Sequence, residues 1–373
     1  MLAAGLLLVS PAAPAAPGML VGIYDEPETL YGSPEVSFPL LRALRVQVLR
    51  LNLYWGGRFG VAKRRPFNGA DPNDPAYDWD AYDRTLRYAE RFGIKVVLTI
   101  FGTPAWANGG KGLNRAPSSF EELRKFAFAA ATRYSGTWTD DAGNPLPRVL
   151  YWTAWNEPNN PVFLSPQYRR QGTRWVVQSA IDYAKICRAV YQGVHATLVA
   201  DEKVACGVTA PRGNNNPTSS RPSVAPIAFL RAAWKAGLRR FDAYAHHPYY
   251  TYPQETPTTR PRGTLKPEQA AITMATIDLL ADELRRLYGP TRIWITEYGY
   301  QTNPPDPFFG VSWQKQAEYL RQAFAIARRH PQIDMMLWFL LRDEPRLSGW
   351  QSGLMTAAGK KKPAFLAFQR LPR

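Results

Sequence analysis

Cysteine is nearly absent from this chain. Cys187 and Cys206 are the two in 373 residues, and neither sits in a CxxC or other metal-binding spacing. A zinc site is therefore not indicated, and one internal disulfide is the most the sequence permits. Histidine is scarce too, with four residues, of which His246 and His247 are adjacent, and no HExxH helix occurs. Neither GxGxxG nor GxxxxGK[ST] follows any apolar run, and Asn108-Gly-Gly-Lys-Gly resembles neither. No apolar stretch is long enough to span a bilayer. No cofactor, no metal and no membrane partner is expected.

What is abundant is aromatic and basic. The 12 Trp and 19 Tyr must either fill a core or line a surface for flat ligands. The net charge of +16 suggests nucleic acid at first sight, but Lys and Arg are scattered. Only Lys63-Arg64-Arg65 and Lys360-Lys361-Lys362 form runs, so a nucleic-acid partner is not expected. Such a surface suits adhesion to acidic polysaccharide. The N-terminus is a short apolar stretch followed by small residues with an Ala13-Pro14-Ala15 cleavage-like pattern, although the usual positive start is missing. Residues 1–18 are expected to be a signal peptide or disordered leader, and the protein to be secreted.

Along the rest of the chain, short β-branched or aromatic runs alternate with stretches of helical period. The strand-like runs are Met19–Tyr24, Gln47–Tyr54, Lys95–Phe101, Val149–Trp155, Lys203–Thr209, Phe241–His246, Arg292–Thr296 and Ile333–Leu340. Between them, Trp79, Tyr82, Leu86 and Ala89 form an apolar stripe behind Asp78, a predicted N-cap. Ser119 and Glu122 read as a capping box, and Gly289-Pro290 stops the stripe of Ile277, Leu280, Leu284 and Leu287. Eight alternations in a chain of this length predict an α/β fold, a single (β/α)8 barrel over residues 19–373. Polar, proline-rich segments from Pro211 to Val224, Thr251 to Gly263 and Asn303 to Gly310 read as elongated βα loops on the C-terminal face, where barrels carry their sites.

On that face the fourth run ends Trp155-Asn156-Glu157-Pro158-Asn159 and the seventh ends Ile295-Thr296-Glu297-Tyr298-Gly299. One such glutamate alone would ordinarily be a capping or ion-pairing residue. Two, emerging from separate strands onto one face, suit a retaining glycosidase, whose carboxyls stand about 5–5.5 Å apart. One must hold a proton near neutral pH and the other must stay ionised.

These two motifs resemble those of the clan A, or 4/7, superfamily of glycoside hydrolases, and the pattern runs from Met19 to Lys362-Pro363-Ala364. The resemblance implies that Glu157 is the acid/base and Glu297 the nucleophile of a double displacement on a poly- or oligosaccharide. It also implies that Arg50 supports the nucleophile, that Asn156 binds the sugar 2-hydroxyl, and that His247 reaches the substrate while Tyr249 donates to the nucleophile. Trp338 is expected to form the floor beneath the reacting sugar. Trp55, Trp106 and Trp350 lie in or near βα loops and are candidates for further sugar contacts. The third run ends Phe101-Gly102-Thr103-Pro104-Ala105-Trp106, without the histidine usual in family 5 cellulases, and looks more like family 39 and its relatives. Two other readings share the motifs: a carbohydrate-binding barrel without catalysis, and a transglycosylase using the same residues.

Overall fold

The computed structural model describes residues 18–140, 142–262 and 266–373. The leader expected over 1–18 lies, but for Gly18, outside the described residues. Eight parallel strands close into a barrel: β1 Leu20–Tyr24, β2 Val48–Tyr54, β3 Lys95–Phe101, β4 Tyr151–Ala154, β5 Lys203–Thr209, β6 Ala243–His246, β7 Arg292–Tyr298 and β8 Ile333–Phe339. They neighbour one another in sequence order, and β1 pairs β8 to close the ring, Leu20 opposite Met335 and Tyr24 opposite Phe339. The eight strand-like runs of the sequence all fall on these strands.

Strand side chains alternate between two environments. Val48, Val97, Ala205, Ala243, Trp294, Met335 and Leu337 pack together inside the barrel. Their neighbours, such as Leu49, Leu98, Val204, Ile293 and Met336, belong to a larger cluster shared with the helices. Runs buried on both faces are why these strands read as continuously apolar rather than alternating.

Outside the barrel, helix Asp80–Arg91 buries Tyr82, Thr85, Leu86 and Ala89, a stripe at helical spacing. It begins one residue later than an N-cap at Asp78 predicts, with Trp79 at the cap, while Asp78 accepts from the Asp80 N–H at 3.3 Å. Ser119 does precede helix Phe120–Arg133, but its hydroxyl caps no N–H, so the expected capping box is not formed. Gly289 ends helix Ile277–Tyr288 at φ 80°, a conformation an L-residue adopts at a cost. Cys187, on helix Gln178–His195, is bonded to Cys206 of β5 across a Cα–Cα distance of 6.0 Å.

The segments after β5, β6 and β7 are long, as expected. The sequence reading missed a hairpin, Tyr168–Gln171 against Arg174–Val177, in the loop after β4. Among the described residues no helix is long and apolar enough to cross a membrane.

Candidate active site

Alternation along β2 from the interior residue Val48 turns Arg50 and Asn52 into the barrel mouth. There Arg50 is fully buried yet fully engaged. Its Nε donates to Thr99 Oγ1 at 2.9 Å and its Nη2 to Asn156 Oδ1 at 2.8 Å and Asn52 Oδ1 at 3.3 Å. Its Nη1 donates to Glu297 Oε1 at 2.6 Å. A buried guanidinium needs this many acceptors, because desolvation of an unpaired charge is prohibitive. The Tyr24 ring lies under it, 4.6 Å from centroid to guanidinium carbon.

Glu297 owes its aim to an irregularity. Ile295 pairs with Met336 and Tyr298 with Trp338, so three steps on β7 match two on β8. The extra residue is a bulge, which re-aims side chains at a barrel rim. Thr296 and Glu297 consequently both reach the centre. Tyr249 donates its hydroxyl to Glu297 Oε2 at 3.2 Å.

Glu157 is held by strained backbone. Trp155 and Glu157 have φ of 69° and 36°, a region that such residues occupy only when their surroundings impose it. The surroundings do so here: the Trp155 N–H donates to Ile100 O, its indole to Phe163 O, and the Glu157 N–H to Val208 O. Side-chain exposure is 12% for Glu157 and 11% for Glu297. Burial pushes the Glu157 carboxyl up to about 7, against the opposing pull of the Asn160 amide, which donates to Oε2 at 3.1 Å, and of Arg50. The two carboxyls thus have different surroundings: an amide and an imidazole for Glu157, a guanidinium and a phenol for Glu297.

His247 sits between them. Its Nε2 lies 3.3 Å from Arg50 Nη1, which can only donate, and 2.9 Å from Thr296 Oγ1. Nε2 is therefore an acceptor, and the ring proton is assigned to Nδ1, which faces Glu157 Oε1 at 3.1 Å and Glu297 Oε2 at 3.6 Å. Burial drives the imidazole down to about 3, so it is neutral and donates to Glu157 without carrying charge. Glu157, His247 and Glu297 offer donor atoms within 4.8 Å of one another, the one group among the described residues close enough for a metal ion. The set suits a cation poorly, since the proton sits on Nδ1 and Arg50 already occupies Glu297.

Of the residues singled out in the sequence, Glu157, Glu297, Arg50, Asn156, His247 and Tyr249 converge on this centre. Trp338, Trp55 and Trp106 do not. Trp338 is a correction: it is fully buried, belongs to the cluster between barrel and helices, and bonds Ser352 O at 2.9 Å through its indole. Its neighbour Phe339 faces the mouth, 5.3 Å from Tyr24, 6.5 Å from Tyr249 and 5.4 Å from Trp350 between ring centroids. Trp55 is fully buried against Phe126, and Trp106 packs edge-on to it at 5.6 Å, so both build the outer core of the barrel. Trp350 remains 42% exposed and stacks on Tyr249 at 5.8 Å. His246 is structural, bonded to Thr209 and to Ile272 O. Thr99, Asn52, Asn160 and Phe339 were not singled out. Strand alternation from Arg50 would have found Asn52, and counting from Leu337 would have found Phe339.

No family model matches the chain, and no curated protein matches it. Solved structures do. A family 39 glycoside hydrolase from the gut symbiont Bacteroides cellulosilyticus aligns at TM-score 0.63 and 19% identity over 94% of this chain and 63% of that one. A glucosidase from Croceicoccus marinus aligns at 0.65 and 14% over 96% and 68%. Two fungal β-1,4-galactanases are represented by a match at 0.59 and 14% over 94% and 99%. At these identities the likeness is one of fold. The chain spans less than two thirds of the family 39 protein's length.

Proposed function

We propose that the chain is a retaining glycoside hydrolase of clan A that cleaves O-glycosidic bonds, of β configuration, in a poly- or oligosaccharide. The carrying observation is the pair Glu157 and Glu297, whose carboxyl oxygens lie within 4.8 Å at the mouth of the barrel in contrasting surroundings. So close an approach of one oxygen from each supports the retaining arrangement over the wider separation of an inverting pair.

In this reading Glu297 attacks the anomeric carbon while Glu157, protonated near neutral pH, gives its proton to the leaving oxygen. Glu157 then takes a proton from the water that releases the glycosyl group. Arg50 and Tyr249 hold Glu297 in line, one on each carboxyl oxygen. Asn156, fixed by Arg50 through Oδ1, presents its amide nitrogen to the sugar 2-hydroxyl. Phe339 and Trp350 supply ring faces for the sugar's C–H surface. The fold shared with glycoside hydrolases supports the reading. The engaged side chains favour it over a non-catalytic binder, which has no use for a strained acid and a clamped nucleophile. Transfer to a sugar acceptor instead of water uses the same residues and is separated by product analysis at high acceptor concentration. We further infer export, consistent with the Cys187–Cys206 bond.

The test is covalent trapping. A panel of dinitrophenyl 2-deoxy-2-fluoro-β-glycosides of glucose, galactose, xylose and mannose is incubated with the protein, which is then digested and analysed by mass spectrometry. At least one sugar should label the peptide at Glu297. A panel that leaves Glu297 unmodified, together with no hydrolysis of the matching aryl glycosides, overturns the assignment.

A further inference from the structure

The rim of the barrel mouth is electrically lopsided. The segments after β3, β4 and β5, residues 102–119, 155–177 and 210–225, contain one acidic residue, Glu157 itself. Against it stand Lys111 and Arg115 in the first, Arg169, Arg170 and Arg174 in the second, and Arg212 and Arg221 in the third. All but the half-buried Arg115 are exposed. None of these cations is within ion-pairing distance of a carboxylate among the described residues. Cations of the neighbouring helices are, as in Arg124 with Glu121 and Arg231 with Glu283.

The three segments form one continuous surface. The Ser165 N–H donates to Asn114 O at 2.8 Å and the Asn114 amide to Pro161 O at 3.0 Å, tying the first to the second. The Val224 N–H donates to Asn159 O at 3.0 Å and the Asn159 amide to Val224 O at 2.9 Å, tying the second to the third. The Gln167 amide bonds Pro158 O at 2.9 Å, so the hairpin is anchored to the turn that carries Glu157. On that hairpin Trp175, 45% exposed, lies directly across from Arg170. Guanidiniums without a carboxylate partner recognise carboxylate or sulfate, and an exposed indole beside one offers a stacking face for a pyranose.

We propose that this rim binds an acidic polysaccharide, one whose sugar units carry carboxylate or sulfate groups, on the leaving-group side of Glu157. The inference rests on the hydrolase reading in placing the polymer across Glu157. The occupant follows from two coincident features: anion-seeking groups with no carboxylate partner, two of which, Arg170 and Arg212, bond only backbone carbonyls, and continuity with the turn that carries the acid. Like charges on one exposed surface repel one another, and a polyanion offsets that repulsion.

Binding is measured by fluorescence anisotropy on the full chain with fluorescein-labelled polygalacturonate oligomers, chondroitin sulfate oligomers, neutral β-1,4-galactan oligomers of equal length, and a DNA duplex of equal charge. At least one acidic glycan should bind about tenfold or more tighter than galactan at low salt, and lose that margin as the Debye length shortens. Arg170→Gln/Arg174→Gln/Arg221→Gln should abolish the margin, about tenfold for three exposed ion pairs. Lys235→Gln/Lys315→Gln/Arg321→Gln, the same charge change on outer helix faces, should keep it. If the first triple variant does not fold, Arg170→Gln alone, with its smaller salt dependence, replaces it. The proposal is overturned if neither acidic glycan outbinds galactan, if both triple variants behave alike, or if DNA binds as tightly as the better glycan. Since no turnover is read, this outcome and that of the trapping experiment are independent.

Discussion

The guanidinium of Arg50 holds Oε1 of Glu297 at 2.6 Å, joining β2 to β7 across the mouth of the barrel. This contact is what makes a buried carboxylate at position 297 tenable, and it fixes where that carboxylate points. Arg50→Met removes the charge and keeps the bulk. It should lower kcat on activated aryl glycosides by about 100-fold or more, in line with the loss of a donor at a charged reacting group. It should also cost about 3–5 kcal/mol of stability, since one member of a buried pair is left without its partner. Arg50→Lys restores charge but lacks the fork that reaches Asn156 as well, so it should recover stability more than activity. Steady-state kinetics and thermal melts decide this; activity within a few-fold of the parent in Arg50→Met would remove Arg50 from the mechanism.

The pH dependence follows from Glu157. Its carboxyl, pushed up to about 7 by burial, must be protonated to act as the acid. Activity is therefore retained below about pH 7 and falls as pH rises through that value. The Asn160 amide favours the ionised form by donating to Oε2, so Asn160→Ala should move the alkaline limb of kcat/KM to higher pH. A limb that stays put, or moves to lower pH, would show that Glu157 does not set it. Glu157→Ala should slow glycosides with poor leaving groups far more than activated ones, and should flatten that limb.

Most of the fold was legible because a barrel strand buried on both faces is a short apolar run between turn signals, and eight of them survive casual inspection. The pair of facing glutamates was legible for a related reason, since strand ends on one face are where a barrel collects side chains. Face was harder to read. Trp338 and Phe339 are adjacent on β8, and a step of one residue moves a side chain from the mouth to the helix layer. The bulge before Tyr298 defeats simple alternation on β7, where Thr296 and Glu297 point to the same centre. Second-sphere partners such as Thr99 and Asn160 have no motif of their own, because a threonine or asparagine gains its role only from what folds against it.

The disulfide makes a separate prediction. Cys187 and Cys206 are both fully buried and 19 residues apart, linking a helix to the strand that follows it. Closing a loop of that length is worth about 3 kcal/mol in the chain-entropy account. Cys187→Ala/Cys206→Ala should lower the unfolding midpoint measurably while leaving KM unchanged, because neither residue approaches the mouth. Titration of thiols in the denatured wild-type protein should find none; two free thiols would contradict the bond.

Strand face itself can be tested by paired substitutions on β8. Trp338 fills space against Tyr298 in the outer core and hydrogen-bonds Ser352. Trp338→Ala should therefore cost about 3–5 kcal/mol, the range for emptying an aromatic site in a core, with KM little changed in the protein that remains folded. Phe339 borders Tyr24, Tyr249 and Trp350 at the mouth. Phe339→Ala should cost less stability and instead raise KM, with a further loss in kcat if the ring also steadies Tyr249 against Glu297. Chemical denaturation and saturation kinetics on the two variants give opposite patterns if β8 is registered as described. The reverse pattern, KM responding to position 338 and stability to 339, would mean that the strand presents its other face to the sugar.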